Sequence, residues 1–429
     1  MTPNPTVPQP VPTAPPRDTD VIIVGAGMAG ATLGLALASG GIDCVMIDPQ
    51  PFDAQVAPTF DGRASAIAFS AFRQWRVLGA AGFIEPHAQR IEQILVTDGR
   101  PPGPAAARPS GAWLRFDSSE IADRNDGEPL GYLIENRRIR AGLAQAVTAA
   151  GLSVLSPAKV AHSDGAGNRA RVTLEDGRVL TAPLVIGADG RGSKVRADAG
   201  IEVMGWGYGH VGVVATVGLE HDHGGVAYEH FLPTGPFAIL PLTERRANLV
   251  WTETAEKGAA LKTARPEVFQ AHLRRRFGDF LGEVTVLGPR FTYPLSLQLA
   301  DQMIAPRVAL VGDAAHAVHP IAGQGLNMGL KDVAALAEVL IDAVRLGEDL
   351  GSTAVLERYV RWRSVDNLGV ALATDAFTRL FSNNNPLVRA VRDAGMAVVN
   401  RIGPARRMFM AEAGGAAGDL PRLLRGVPV

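Results

Sequence analysis

Cysteine is almost missing from this chain: Cys44 is the only one among 429 residues. No internal disulfide can form, and the apolar run around Cys44 points to a buried thiol rather than a reactive one. The chain reads as intracellular. Charge of one sign is missing too. The formal net charge is −1 and no basic block occurs, which argues against nucleic acid as a partner. No apolar run approaches the roughly 18–20 residues of a membrane-spanning helix, because Val21–Ile47 is broken by glycines and charges. The first 18 residues are rich in proline and lack a basic start followed by an apolar core, so a disordered tail is expected over 1–18. G-x-S-x-G and H-E-x-x-H are absent. His316 and His319 share a loop without a further ligand pattern, so no metal is assigned.

Glycine is where the information lies. In Asp20–Asp48, DVIIVGAGMAGATLGLALASGGIDCVMID, a predicted strand runs into Gly25, Gly27 and Gly30. A helix of small and apolar residues follows, then a second strand ending in Asp48. The spacing has physical reasons. Gly25 permits a tight turn, Gly27 lets a pyrophosphate approach the backbone, and Gly30 lets the helix pack on the strand. Asp48 can bind a ribose hydroxyl. The stretch Arg307–Asp332, RVALVGDAAHAVHPIAGQGLNMGLKD, repeats the theme. The run Val308–Val311 predicts a buried strand, Gly312–Asp313 a break, and a helix starts near Gly325. Asp313 offers an acceptor for hydroxyls. The N–H groups around Gly325–Asn327 would form the positive end of a helix. Both stretches call for the same polar, partly anionic ligand.

Between them the pattern alternates in kind. Ala66 to Leu78 reads as a helix, with Arg63 in the loop before it. Ile91–Leu130 reads as strands joined by loops. Gly131–Gly151 becomes helical from about Arg137. The turn at Glu175–Gly177 predicts a hairpin. Gly205–Thr254 alternates with period two, as an antiparallel sheet does. Pro266–Phe277 predicts a helix closed by Gly278, and Val284–Ser296 returns in strands. Beyond Asp332 the chain reads as helices to its end, with an arginine and apolar interleaving over Arg389–Arg407 that suits helix packing or a membrane surface.

Three separated motifs now stand in order: Gly25–Gly30, GADGRGSKVR at Gly187–Arg196, and the Arg307–Asp332 stretch. Together they resemble the single-component FAD-dependent aromatic hydroxylases, the class typified by para-hydroxybenzoate hydroxylase. DGRASAIAFS, GYLIENRRIR, EHFLPTGPFAILPLTERRANLVWT and FTRLFSNNNP further resemble the ubiquinone-biosynthesis hydroxylase family. The resemblance covers Asp18 to the C-terminus. It implies an α/β fold: a Rossmann-like FAD-binding domain drawn from 19–85, 131–200 and 295–370, interleaved with a substrate-binding β-sheet domain from 86–130 and 201–294. A C-terminal helical region would occupy 371–429.

The resemblance also implies roles. Gly25, Gly27, Met28, Ala29 and Gly30 would meet the FAD pyrophosphate and Asp48 the adenosine ribose. Arg63 and Asn136 would lie on the phosphate side, and Val160 would offer its main chain to adenine. Asp189 belongs to a motif used for FAD and, transiently, for NAD(P)H. Gly312 and Asp313 would hold the ribityl chain. Pro320 would line the catalytic face, and Gly325, Leu326 and Asn327 would aim N–H groups at the N1–C2=O edge. The implied reaction hydroxylates a polyprenylated phenol with O₂ through a flavin C4a-hydroperoxide kept away from water. Phe231, Phe237, Leu240 and Trp251 are candidates for its apolar roof. Tyr228, His230 and His210 are the candidates for a general base. No second G-x-G-x-x-G opening a helix exists for NAD(P)H, since the match Gly207–Gly212 lies inside the alternating segment, so the electron donor follows from the resemblance. The implied location is cytoplasmic and peripheral to the inner membrane, beside other ubiquinone-biosynthesis proteins. An FAD-dependent isoprenoid double-bond reductase and a non-catalytic flavin-binding subunit stay open as alternatives.

Overall fold

The computed structural model describes residues 17–57, 61–99, 109–121, 126–232, 234–318 and 324–381, with 402–403, 406–407, 410, 414–415 and 418–429 near the end. Val21–Val24, Cys44–Ile47, Leu184–Gly187 and Val308–Leu310 are buried at every position. Runs apolar on both faces suit a parallel sheet covered on both sides. They form one, in the order 308–310, 184–187, 21–24, 44–47, with Ser153–Leu155 beyond and Ile304–Ala305 antiparallel at the other edge. The chain leaves Val21–Val24 for one neighbour and returns later as the other. This is the switch point at whose carboxyl edge ligands bind. Four adjacent strands end there at Asp48, Gly25, Ala188 and Val311. Motifs distant in sequence therefore share one edge. Cys44 is buried, and burial, with Asp43 and Asp20 nearby, pushes its thiol up to about 12.

The alternating segments form an eight-stranded sheet. Its order is His316–Ala317, Val284–Ala300, Val203–Leu219, Arg246–Thr254, Gly235–Leu242, Val226–Leu232, Gln93–Gly99 and Pro109–Asp117. All neighbours are antiparallel except 226–232 beside 93–99. Helices Ala255–Thr263 and Pro266–Phe277 flank the sheet. Phe237, Trp251, Phe269, Leu273 and Phe277 fill a core on that side. A smaller sheet, 64–68, 131–135 and 89–91, stands against the opposite side. The helix expected from Ala66 is displaced. Ala64–Ala68 is a strand paired with Gly131–Glu135, and the helix is Phe69–Val77. Pairing with a partner some seventy residues away overrides the helix preference of alanine.

The helix Gln324–Arg345 ties these layers together through two polar residues. Asn327 is buried; its Nδ2 donates to Ala66 O at 2.8 Å and its Oδ1 accepts from Ala68 N at 2.9 Å. The side chain thus completes the free edge of strand Ala64–Ala68, which would otherwise leave unpaired backbone groups. Five positions on, Asp332 is fully buried and accepts from Gly312 N (3.1 Å), His316 Nε2 (2.5 Å), Arg363 Nε (2.9 Å) and Asn367 Nδ2 (3.1 Å). Burial opposes the charge on both Asp332 and His316, but their mutual attraction wins. The Asp332 carboxyl is held below its usual range and the His316 imidazole above its own. His316 is therefore a structural residue.

Asp332→Ala removes the acceptor of His316 and leaves buried Arg363 with only the half-buried Asp366 as counter-charge, so it should cost about 3–5 kcal/mol, read as a lower thermal midpoint. The pH dependence follows from the signs. A depressed carboxyl stabilises above its unfolded value near 3.9 and loses that in acid. A raised imidazole stabilises below its unfolded value near 6.5 and loses that in alkali. The gap between wild type and Asp332→Ala should be widest between about pH 4 and 6.5. It should close in acid, and close only in part in alkali, where Arg363 keeps its charge.

Candidate functional site

The carboxyl edge of the parallel sheet is shaped by glycines with different duties. Gly25 has φ +101°, and a Cβ there would lie 2.3 Å from Ala188 O. Its N–H donates to Ile47 O at 2.7 Å, closing the turn. A Cβ on Gly30 would lie 1.8 Å from Gly25 O, so the helix Met28–Ser39 sits directly on the turn. Gly27, at the N-cap of that helix, differs: a Cβ there would meet nothing within 4 Å. No contact among the described residues demands glycine at 27. The space beyond it is where an anion would meet the first-turn N–H groups of Met28, Ala29 and Gly30.

Acidic residues surround this cradle. Asp48 Oδ2 accepts from Ala26 N at 2.9 Å, and Oδ1 from Gln50 N at 2.8 Å and Gln55 Nε2 at 3.1 Å. It therefore holds the glycine turn. Ala158 N donates to Asp48 O at 2.8 Å, which brings Val160, the first residue of strand Val160–Asp164, to the same side. Asp189 Oδ2 accepts from Lys194 N at 2.7 Å and Val195 N at 3.2 Å, at the start of the helix Lys194–Asp198 that Ser193 caps, while its Oδ1 is buried without a partner among the described residues. Asp313, in the turn after Val308–Leu310, is exposed and makes no hydrogen bond among the described residues. Gly312 beneath it, with φ +60°, rests on Gly329, where a Cβ would lie 3.0 Å from Gly312 Cα.

Arg63 belongs to a cluster whose centre the sequence reading missed. Asp61 is buried and takes both Nε and Nη2 of Arg63 at 2.9 Å, Arg140 Nη2 at 2.9 Å, Asn136 Nδ2 at 3.1 Å and Tyr293 Oη at 3.3 Å. Burial opposes its charge, but Arg63 and Arg140 hold the carboxyl far below the usual range. The Arg63 guanidinium lies 4.6 Å from the Tyr293 ring centre and half exposed, with Asp313 close enough to help keep it charged. Asn136 accepts from Ser65 Oγ at 2.7 Å, so its amide is engaged on both sides. A buried acid two residues before an arginine was the available signal in DGR.

The start of helix Gln324–Arg345 completes the site. Among the described residues, a Cβ on Gly325 would meet only Val318, at 3.9 Å, and its φ is not in the left-handed region. Gly325 thus resembles Gly27: it stands at a helix start with no left-handed backbone and no close contact among the described residues. Leu326 is half-buried and Asn327 is fixed by strand Ala64–Ala68. Pro320, His319 and most of Arg389–Arg407 lie outside the described residues.

The roof residues divide by strand parity. Phe237 and Trp251 face the helical side in an aromatic core and cannot line the site. Leu240 packs toward Ala64 and Ala66, on the site's side. Tyr228 and His230 also face away, against Phe280. Burial pushes the Tyr228 hydroxyl up and the His230 imidazole down to about 4. His210 Nδ1 is engaged with Tyr208 O at 2.7 Å.

Two helix starts with open glycines, an unpartnered Asp189 oxygen and an exposed acceptor at Asp313 fit a dinucleotide laid along one edge. Comparison with known proteins agrees. A family model described as an FAD binding domain matches residues 18–366. The ubiquinone hydroxylase UbiL of Rhodospirillum rubrum is 44% identical over 414 residues, covering 96% of this chain and 93% of that protein. The 3-demethoxyubiquinol 3-hydroxylase of Escherichia coli is 35% identical, covering 92% of this chain and 98% of that one. In fold, the chain is similar to p-nitrophenol 4-monooxygenase PnpA of Pseudomonas putida, with TM-score 0.76, 20% identity, and 94% and 100% of the two chains covered. The chain belongs to the FAD-binding-domain family and, within it, to the ubiquinone-biosynthesis hydroxylases, enzymes of the FAD-dependent aromatic monooxygenase class.

Proposed function

We propose that this enzyme hydroxylates the ring of a polyprenylated phenol on the path to ubiquinone, using FAD, NAD(P)H and O₂. The observation that carries the reading is the pair of open helix starts, at Gly27 and Gly325, on one edge beneath a largely apolar sheet face. The names of the relatives support the substrate class. When bound, FAD reduced by NAD(P)H supplies the electrons that let O₂ deliver one oxygen atom to the ring.

The chain's own residues divide the remaining work. Gly25, Gly27, Met28, Ala29 and Gly30 hold the pyrophosphate, Asp48 the ribose and the Val160 main chain the adenine. Arg63 neutralises charge on the phosphate side. Asn136, its amide taken by Ser65 and Asp61, contributes by fixing the Arg63 loop. Gly312 and Asp313 meet the ribityl hydroxyls, and Asp189 keeps an acceptor for the cofactor side. The Gly325, Leu326 and Asn327 N–H groups stabilise negative charge that collects at the ring edge. The apolar sheet face keeps water out. The division into FAD-binding segments 19–85, 131–200 and 295–370 and substrate segments 86–130 and 201–294 belongs to the same proposal.

No helix among the described residues is long and apolar enough to cross a membrane. A lipid-borne tail then requires contact at the surface. Val365, Leu368 and Leu372 are 79%, 51% and 59% exposed and fall on one face of helix Thr353–Phe381, which supports such a contact.

Deleting the gene in its host tests the reading. Mass spectrometry should find a quinone precursor short of a ring hydroxyl; an unchanged quinone pool contradicts it. Gly27→Trp should fold, by circular dichroism, yet elute without FAD, whereas retained flavin would place the pyrophosphate elsewhere. Gly325→Val, whose side chain enters the open space beside Val318, should keep substantial FAD and lose coupling. NAD(P)H oxidation should then release H₂O₂ instead of product. A wild-type ratio of product to reductant would mean that this helix start is remote from the reacting ring.

A further inference from the structure

Strand pairing sets out one row across the sheet. Val96, Glu229, Ala238, Val250, Val214 and Phe291 stand opposite one another on adjacent strands. Residues directly opposite share a face. Phe291 fixes which face this is, because a Cβ on Gly62 would lie 2.2 Å from its ring, and Gly62 adjoins Arg63. The flanking rows agree. Asn248 Nδ2 donates to Gly62 O at 3.2 Å, and Ala227 packs with Leu133 and Leu240. Glu229 therefore stands on the side of the proposed site, between Tyr228 and His230, which face the other way.

Nothing in the row balances this carboxylate. Among the described residues Glu229 makes no hydrogen bond or ion pair. It keeps some accessible surface although protein surrounds it. Among the described residues of this face, Arg63 and Asp61 lie past Phe291 at one end of the row, and the Arg246–Glu135 pair lies past the Leu240 row. Asp98 stands opposite Phe231 in the neighbouring strand. Burial alone accounts for the shift of the Glu229 carboxyl up to about 7. A polar group held in apolar surroundings without a partner calls for one from outside the chain.

We propose that Glu229 is a catalytic residue that receives the phenol hydroxyl of the substrate and takes its proton as the ring is oxygenated. The assignment rests on the hydroxylase reading above. The phenol O–H breaks and its proton forms an O–H on Glu229. The released electron pair moves into the ring, whose ortho or para carbon forms the new C–O bond to one atom of O₂. The O–O bond breaks and the other atom leaves as water, with the two electrons and one proton of the NAD(P)H hydride and one proton from solvent, while the new oxygen gains the proton that the ring carbon sheds. Loss of the proton on that carbon restores the aromatic ring, and Glu229 passes its own proton back to the phenolate oxygen. A base that titrates near neutral pH suits this work better than an ordinary carboxylate.

The test compares wild type, Glu229→Gln and Glu229→Asp as FAD-loaded enzymes, with a phenol bearing an ortho tail of two isoprene units as probe. FAD content should be equal in all three. The probe bound to wild type should show a red-shifted ultraviolet spectrum, as a phenol donating to a carboxylate does, and Glu229→Gln should lose that shift. Product formation in Glu229→Gln should fall roughly 100-fold or more, with KM changing far less. The wild-type rate should drop as pH falls below about 7, where the carboxylate takes a proton. Glu229→Gln should lack that limb, and Glu229→Asp should regain part of the rate with the limb. Wild-type rate, spectrum and pH limb in Glu229→Gln would overturn the assignment and leave the hydroxylase reading standing. Wild type that holds FAD but never hydroxylates the probe would overturn both.

Discussion

The start of helix Gln324–Arg345 can occupy only one position, because Asn327 and Asp332 are buried polar residues with fixed partners. Asn327 stands in for a missing strand beside Ala64–Ala68. Asp332 joins the Gly312 turn, His316 and Arg363. Breaking either contact strands buried polar groups, so the helix cannot drift without a cost of about 1–3 kcal/mol for each group left unpaired. The helix end, the acidic turn and the Arg63 loop are thereby held in one geometry. A cofactor ring set against a helix dipole needs that fixity, since charge stabilisation falls off within a turn.

The parallel sheet does the corresponding work for the rest of the site. Its strand order brings Asp48, Gly25, Asp189 and Asp313 to one edge although they span most of the chain. The eight-stranded sheet then divides its duties by parity. One face is an aromatic core under two helices; the other is largely apolar, meets the smaller sheet and the Gly62 turn, and carries Glu229. A single strand, Val226–Leu232, thus sends alternate residues to structure and to chemistry.

Much of this was legible in the sequence where local chemistry decides it. The Gly25–Gly30 turn, the strand ending at Asp48, the helix Pro266–Phe277 and the antiparallel segments from Gly205 all follow from period and punctuation. What was not legible depends on distant partners. The segment at Ala66 is a strand because Gly131–Glu135 pairs with it. Asp61 gathers Arg63, Arg140, Asn136 and Tyr293 from three other parts of the chain. Alternation alone shows that Phe237 and Trp251 share a face, and that Tyr228 and His230 do, but not which face meets the cofactor layers. That requires the contact between Phe291 and Gly62.

The central claim is that these layers meet to put oxygen into a phenol ring. It is tested most directly by supplying the FAD-loaded enzyme with a prenylated phenol, NAD(P)H and ¹⁸O₂, and weighing the product by mass spectrometry. The structure predicts one heavy oxygen atom in each hydroxylated ring, formed in proportion to the NAD(P)H consumed. Reductant consumed with only labelled hydrogen peroxide released, or a hydroxyl drawn from water, would contradict it.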